Sequence, residues 1–143
     1  MDEIKFTIDG IQVKAQEGDT ILQAATRNGI YIPHLCYHPD LKPRGACRLC
    51  LVENEDGRLV TSCETLVKGG MSVSTTSKRV ENSRKMVAQL LIANHESECL
   101  TCAQNNQCKL QEIASFFGIE NENISNLRHS LLEVPVDESN PFF

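Results

Sequence analysis

Two groups of four potential metal ligands account for every cysteine in the chain, and they constrain its fold more than any other feature. The first group has the spacing C-x10-C-x2-C-x12-C and consists of Cys36, Cys47, Cys50 and Cys63. The second has the spacing H-x3-C-x2-C-x5-C and consists of His95, Cys99, Cys102 and Cys108. Because no thiol is left over, we expect the chain to be built around two metal centres.

The composition excludes several other kinds of protein. A chain of 143 residues with 5% aromatic residues and no tryptophan can bury only a small core, so bound metal should contribute to the free energy of folding. The net charge of −5 and the lack of a basic patch argue against a nucleic-acid partner. Because the sequence shows neither a secretory signal nor an apolar run long enough for a membrane helix, we expect a cytoplasmic protein without membrane insertion. In that reducing compartment an odd number of cysteines does not suit a disulfide framework.

The first half of the sequence predicts a small sheet with one helix. Alternating apolar and polar residues on either side of Asp9-Gly10 predict a β-hairpin. Asp19 or Thr20 can cap a short helix, which Asn28-Gly29 would end. A turn-rich loop, a second hairpin and one further strand are predicted over residues 39–47, 51–61 and 71–74. This order predicts an α+β fold in which a helix packs across a small mixed sheet.

The pattern becomes helical in the second half. A helix is predicted over residues 77–94, capped by Ser77. Its apolar residues on one face are Val80, Val87, Leu90 and Leu91. A further helix is predicted from Lys109 to Phe117, with Gly118 as its stop. The mostly polar segment 119–143 is expected to be irregular.

The first ligand set favours an iron–sulfur cluster over structural zinc. Zinc ribbons usually present two symmetric Cys-x2-Cys pairs, whereas this set has one pair and two isolated cysteines. Gly45 and Ala46 are small enough to let backbone N–H groups approach inorganic sulfide. His34 and His38 flank Cys36, but four cysteines are already available. We therefore expect both histidines to be packing or surface residues rather than Rieske-type ligands.

The second ligand set is ambiguous on spacing alone. Three cysteines and one histidine suit a zinc ion and an iron–sulfur cluster about equally well. His95 could also be a helix-end residue that interacts favourably with the helix dipole. The residues by themselves leave these alternatives open.

Three segments around the first ligand set resemble a known [2Fe–2S] domain. They are Ile32-Pro33-His34-Leu35-Cys36-Tyr37-His38-Pro39, Gly45-Ala46-Cys47-Arg48-Leu49-Cys50-Leu51-Val52-Glu53 and Thr61-Ser62-Cys63. That domain is the N-terminal ferredoxin-like module shared by the large iron–sulfur subunit of respiratory complex I, [FeFe]-hydrogenases and NAD-linked formate dehydrogenases. The resemblance implies a β-grasp fold with one [2Fe–2S] cluster, whose ligands are Cys36, Cys47, Cys50 and Cys63.

The second ligand set resembles the [4Fe–4S] segment that directly follows this domain in the same families. The resemblance is carried by His95-Glu96-Ser97-Glu98-Cys99-Leu100-Thr101-Cys102 and Cys108-Lys109-Leu110-Gln111. It implies one [4Fe–4S] cluster, whose ligands are His95, Cys99, Cys102 and Cys108. A neutral imidazole in place of one thiolate would remove a negative charge and so favour the reduced cluster.

The resemblance also predicts how the chain is divided. We expect a [2Fe–2S] ferredoxin-like β-grasp domain over residues 1–76, a helical one-His/three-Cys [4Fe–4S] segment over 77–118 and an extended tail over 119–143. The larger relatives continue into domains with further clusters and catalytic sites, for which this sequence has no residues. We expect a natural small subunit rather than a truncated piece.

The implied function is that of an electron-transfer subunit without a catalytic site of its own. It would relay electrons between a flavin- and iron–sulfur-containing NAD(P)H-oxidising subunit and the other subunits of an oxidoreductase complex of the hydrogenase, formate dehydrogenase or complex I type. The sequence contains no dinucleotide-binding glycine motif, P-loop or Ser/His/Asp arrangement. Two alternatives are a free-standing ferredoxin that shuttles between enzymes and a zinc-stapled interaction module without a redox role.

Overall fold

The computed structural model describes residues 3–95 and 98–120, and the first half of this part forms one mixed sheet. The strands are β1 (Glu3–Ile8), β2 (Ile11–Gln16), β3 (Leu51–Asn54), β4 (Leu59–Thr61) and β5 (Ser72–Ser74). Their order in the sheet is β2-β1-β5-β3-β4, with β1 parallel to β5 and the other neighbours antiparallel. The predicted α+β class with a β-grasp domain is confirmed, and so are both hairpins. The expected irregular tail lies outside the described residues from position 121 onward.

One helix packs across this sheet and closes the main core. Helix α1 (Ile21–Arg27) starts at Thr20, whose hydroxyl accepts from the N–H of Gln23 while the Gln23 side chain accepts from the N–H of Thr20. This reciprocal cap satisfies two N–H groups that the first turn leaves without partners. The buried side chains that helix and sheet share are Phe6, Ile8, Val13, Ala15, Ile21, Leu22, Ala24, Ala25, Val52 and Val73.

The side chain of Asp9 connects the first hairpin to the end of β5. Asp9 and Gly10 have φ angles of 49° and 80°, as a tight two-residue hairpin turn requires. The Asp9 carboxylate accepts hydrogen bonds from the N–H of Thr75 at 2.7 Å, from the Ser74 hydroxyl at 3.1 Å and from the Thr75 hydroxyl. Burial would raise the pKa of Asp9, but these hydrogen bonds together hold that pKa below its usual value.

Helix α2 (Lys78–Ala93) begins at Ser77, as predicted, but the residues it buries differ from the predicted face. The buried residues follow an i, i+4 row and are Val80, Arg84, Ala88 and Ile92. Val87 and Leu91 are half-buried, and Leu90 is 50% exposed. The prediction was wrong for Leu90. The buried row contains an arginine, so the positions of the apolar residues alone do not identify the buried face of the helix.

A second small core joins the two halves of the molecule. Helix α3 (Lys109–Phe116) ends before Gly118, as predicted. This core consists of Leu49, Ala88 and Ile113, all with 0% exposure. Leu49 lies in the loop from Gly45 to Leu49, which we call the first ligand loop, so that loop packs directly against α2 and α3.

An aromatic contact outside this core also links the segment before Cys36 to α3. The rings of Tyr31 and Phe116 meet at a tilt of 60° with their centroids 5.2 Å apart, and the Tyr31 hydroxyl donates to Glu112 at 3.4 Å. No helix in the described ranges has the length and apolar character needed to cross a bilayer.

We expect Asp9→Asn to lower the free energy of unfolding by about 0.5–1 kcal/mol near neutral pH, because hydrogen bonds to a carboxylate are stronger than those to an amide, although water screens this exposed residue. The folded-state pKa of Asp9 lies below its unfolded value, so the stabilisation is present above the unfolded pKa and is lost as pH falls through the folded pKa. The difference in stability between the two proteins should therefore shrink as pH falls below about 4, and it should vanish only below the folded-state pKa of Asp9. Anaerobic chemical denaturation followed by circular dichroism would measure this difference.

The matched control is Asp56→Asn, in the exposed turn of the second hairpin. An equal loss of stability in both variants at neutral pH would contradict the role given to Asp9.

Candidate metal centres

Strand pairing brings the two buried cysteines of the first ligand set together. Cys50 directly precedes β3, and Cys63 lies just beyond β4. The N–H of Ser62 donates to the carbonyl of Cys50 at 3.0 Å, and the N–H of Leu22 in α1 donates to the carbonyl of Ser62 at 2.9 Å. Both cysteines are 1% exposed. The sheet and the helix therefore fix this half of the site.

The other two cysteines complete the set at the surface. Cys36 is exposed and Cys47 is half-buried, and the N–H of Cys47 donates to Sγ of Cys36 at 3.4 Å. The side chains of Cys36 and Cys47 contact each other, and so do those of Cys50 and Cys63. The structure thus brings all four residues together as two pairs. Two thiolates for each iron is what a four-cysteine [2Fe–2S] cluster requires.

The loop from Gly45 to Leu49 turns backbone N–H groups toward the sulfur atoms. Gly45 and Arg48 have left-handed φ angles of 55° and 57°, which reverse the direction of the backbone twice in four residues. The N–H groups of Ala46 and Cys47 donate to the Cys36 sulfur. The N–H of Leu49 donates to the Cys47 sulfur, and the N–H of Gly45 donates to the Cys63 sulfur. A concave set of N–H groups of this kind stabilises negative charge.

A side chain at position 45 would disturb this loop. A Cβ atom on Gly45 would lie 2.0 Å from Oε2 of Glu64, whose carboxylate accepts a hydrogen bond from the Thr61 hydroxyl at 3.0 Å. The left-handed φ of Gly45 is also strained for any other residue. Glycine therefore allows the N–H at this position to reach Cys63.

Two of the cysteines have thiol pKa values that are shifted in opposite directions. Burial, together with the neighbouring Cys50, raises the pKa of Cys63 to about 12. Burial also opposes ionisation of Cys47, but the N–H donors outweigh it and lower the pKa of that thiol. Because metals bind the thiolate, loading of this centre must release a proton from Cys63.

Two buried polar atoms next to Cys50 and Cys63 have no hydrogen-bond partner among the described residues. They are Oγ of Ser62 and Nη2 of Arg84. Ser62 precedes Cys63, and Nε of Arg84 donates to the carbonyl of Leu51 at 2.8 Å. Unpaired buried polar groups are rare in folded proteins. Their position fits a bound group that offers hydrogen-bond acceptors or negative charge, such as an iron–sulfur cluster.

Three residues of the second ligand set line one cavity. The cavity has a volume of about 330 Å³ and is lined by His95, Cys99 and Cys108. Its remaining walls come from α2, from α3 and from Ile119, which follows α3. Those walls are formed by Ile92, Leu110, Gln111, Ala114, Ser115 and Ile119. Cys102 is exposed and does not line the cavity, and the ligand roles of all four residues stay predictions.

The ends of two helices position the ligands of this cavity. His95 follows α2, and its N–H donates to the carbonyl of Ile92 at 3.0 Å. Cys108 is the N-cap residue of α3. The Gln111 side chain donates from Nε2 to Oδ1 of Asn105 at 3.1 Å, which ties the loop before Cys108 to the helix.

In residues 3–95 and 98–120, no group of three or more His, Cys, Asp or Glu side chains lies close enough together to hold a single metal ion.

Comparison with known families agrees with this arrangement. Residues 1–78 match the 2Fe-2S iron-sulfur cluster binding domain, and residues 84–123 match the NADH-ubiquinone oxidoreductase-G iron-sulfur binding region. The chain therefore carries one [2Fe–2S] cluster and one [4Fe–4S] cluster, as predicted.

Several redox proteins are similar over most of the chain. The G subunit of the NADH-quinone oxidoreductase of Rickettsia bellii is 42% identical over 116 residues, which cover 80% of this chain and 17% of that protein. The mitochondrial NADH-ubiquinone oxidoreductase 78 kDa subunit of Candida albicans is 40% identical over 81% of this chain and 16% of its own length. The putative formate dehydrogenase YrhE of Bacillus subtilis is 34% identical over 98% of this chain and 14% of its own length. The chain thus spans less than a fifth of these curated relatives.

A solved structure shows the same fold. The NAD+-reducing [NiFe]-hydrogenase, crystallised in the H2-reduced state, aligns with a TM-score of 0.77 and 35% sequence identity. The alignment covers 82% of this chain and 50% of the hydrogenase chain.

We expect Cys50→Ser and Cys102→Ser to have reciprocal effects on the two clusters. Because a serine oxygen is a harder ligand than a thiolate, Cys50→Ser should abolish the [2Fe–2S] EPR signal and leave the [4Fe–4S] signal, and Cys102→Ser should do the reverse. EPR of the dithionite-reduced proteins, together with iron content, would measure this. An unchanged [2Fe–2S] signal in Cys50→Ser would remove Cys50 from the ligand set, and an unchanged [4Fe–4S] signal in Cys102→Ser would remove Cys102.

Proposed function

We propose that this chain, which belongs to the family of iron–sulfur subunits that includes the G subunit of NADH-quinone oxidoreductase, relays single electrons through its two clusters. The observation that carries the proposal is the first ligand set, in which four cysteines meet as two pairs beneath a set of backbone N–H donors. Iron–sulfur clusters with thiolate ligands exchange one electron at a time, and hydrogen bonds to their sulfurs set the potential.

The residues proposed as ligands are those that the sequence indicated. Cys36, Cys47, Cys50 and Cys63 would hold the [2Fe–2S] cluster, and His95, Cys99, Cys102 and Cys108 would hold the [4Fe–4S] cluster. The remaining residues of each site shape its surroundings. Gly45 and its neighbours aim N–H groups at the sulfur atoms, and the apolar walls of the second cavity exclude water from one side of that cluster.

The proposed partner is a flavin- and iron–sulfur-containing subunit that oxidises NAD(P)H, within a cytoplasmic oxidoreductase complex. Support comes from the relatives, which are named as subunits of NADH-quinone and NADH-ubiquinone oxidoreductases and as an NAD+-reducing hydrogenase. In this arrangement a flavin takes two electrons from the nicotinamide as a hydride and passes them on singly. The [2Fe–2S] domain over 1–76, the [4Fe–4S] segment over 77–118 and the tail over 119–143 would serve as separate parts of the relay.

The first test is metal analysis of the anaerobically purified chain. We expect about six irons and six acid-labile sulfides per chain, from one [2Fe–2S] and one [4Fe–4S] cluster, with two distinct S = 1/2 EPR signals after dithionite reduction. Zinc without acid-labile sulfide would contradict the proposal and would indicate a zinc-stapled interaction module.

The second test concerns the electron donor. NADH alone should leave both clusters oxidised, because the sequence contains no dinucleotide-binding glycine motif. Adding the flavin-containing subunit of a related NADH dehydrogenase should allow NADH to bleach the visible absorption of the clusters. A rate that does not depend on the flavoprotein would contradict the proposed partner. Size-exclusion chromatography of the mixture separates a stable subunit complex from a shuttle that binds transiently.

A further inference from the structure

A buried arginine lies beside the first cluster site and belongs to neither ligand set. Arg84 comes from the middle of α2 and is 3% exposed, in a row whose other members are apolar. Arginine is almost never fully buried unless it is paired, because removing a guanidinium from water is costly. Its position therefore needs a physical reason.

The hydrogen bonds of Arg84 fix its guanidinium next to Cys50. Nε donates to the carbonyl of Leu51, the residue after Cys50, at 2.8 Å. Nη1 donates to the carbonyl of Thr75, beyond β5, at 3.2 Å. One carbonyl in β3 and one just beyond β5 thus hold the planar group in one orientation, and Nη2 is left buried without a partner among the described residues.

No carboxylate of the described residues forms an ion pair with Arg84. The acidic groups that face it at longer range are Asp9 and Glu81, and the phenol of Tyr31 and the thiol of Cys50 also act on its charge. The Asp9 carboxylate is already occupied by hydrogen bonds from Ser74 and Thr75. Burial lowers the pKa of Arg84 to about 10, so the guanidinium remains charged at physiological pH.

A fixed positive charge beside a cluster changes the relative stability of the oxidised and reduced forms of that cluster. Reduction adds one electron, and therefore one negative charge, to a cluster that four thiolates already make anionic. Charges interact more strongly in a partly buried site than in water. The guanidinium gains or loses no proton in this step, so it stabilises the reduced form more than the oxidised form.

We propose that Arg84 is the counter-charge of the [2Fe–2S] centre, which orients the Cys50 side of the site and raises the midpoint potential of the cluster. The inference rests on the proposed assignment of Cys50 and Cys63 as ligands. It gives a physical reason for a buried Nη2 that has no hydrogen-bond partner among the described residues.

The test is an EPR-monitored redox titration of both clusters in the full chain carrying Arg84→Gln, Arg84→Lys or Lys85→Gln. Lys85 is the next residue along α2 and is exposed, so Lys85→Gln removes the same charge from a screened position. We expect Arg84→Gln to shift the [2Fe–2S] potential to more negative values and to change the [4Fe–4S] potential much less. Arg84→Lys should keep most of the wild-type potential, and Lys85→Gln should leave it unchanged.

The outcomes distinguish a failure of the role proposed for Arg84 from a failure of the proposed [2Fe–2S] ligand assignment. A wild-type chain without a [2Fe–2S] signal would refute the proposed function itself. A loaded Arg84→Gln protein with an unchanged [2Fe–2S] potential, or one shifted no more than in Lys85→Gln, would overturn the inference alone. If Arg84→Gln fails to load the cluster while Arg84→Lys loads it at the wild-type potential, the need for charge is supported. Failure of both to load would overturn it, since the arginine would then be needed for its shape and hydrogen bonds.

Discussion

The concentration of negative charge at the first centre is the constraint on which the rest of the structure depends. Four cysteines, which we propose as the thiolate ligands of the first cluster, lie together as two contacting pairs, and two of them are almost fully buried. Charge in such a place must be offset by donors, which the backbone supplies through the left-handed turns at Gly45 and Arg48. The sheet and α1 then hold the strand ends that carry Cys50 and Cys63. The sheet and α1 therefore hold the residues of the first centre in place.

Local patterns in the sequence were sufficient to predict most of the elements. The alternation around Asp9-Gly10 and the caps at Thr20 and Ser77 are short-range signals, and each element they predict is present. The buried face of α2 was mispredicted because the row contains Arg84, and hydrophobic periodicity treats an arginine as a surface residue. An i, i+4 row of Val80, Ala88 and Ile92 with one cation in the middle was the signal that could have shown it.

The candidate sites were predictable from ligand spacing and resemblance, but their surroundings were not. Spacing indicated which residues belong together, and the structure brings together the four cysteines of the first set and three residues of the second. The tilted contact between the rings of Tyr31 and Phe116 depends on packing between segments far apart in sequence. No local pattern encodes such a contact. The same holds for the unpaired atoms of Ser62 and Arg84, which only become apparent once burial is known.

The burial of Leu49 has a consequence for the order of assembly during synthesis. This side chain belongs to the loop of the first centre, yet it is enclosed by Ala88 and Ile113 from the second half. A ribosome makes the N-terminal part first, so the loop cannot reach its final packing until the third helix has been made and has docked. Until then the Leu49 side chain lacks the neighbours that cover it, so the loop of the first centre gains its full packing only when both halves of the described structure are present.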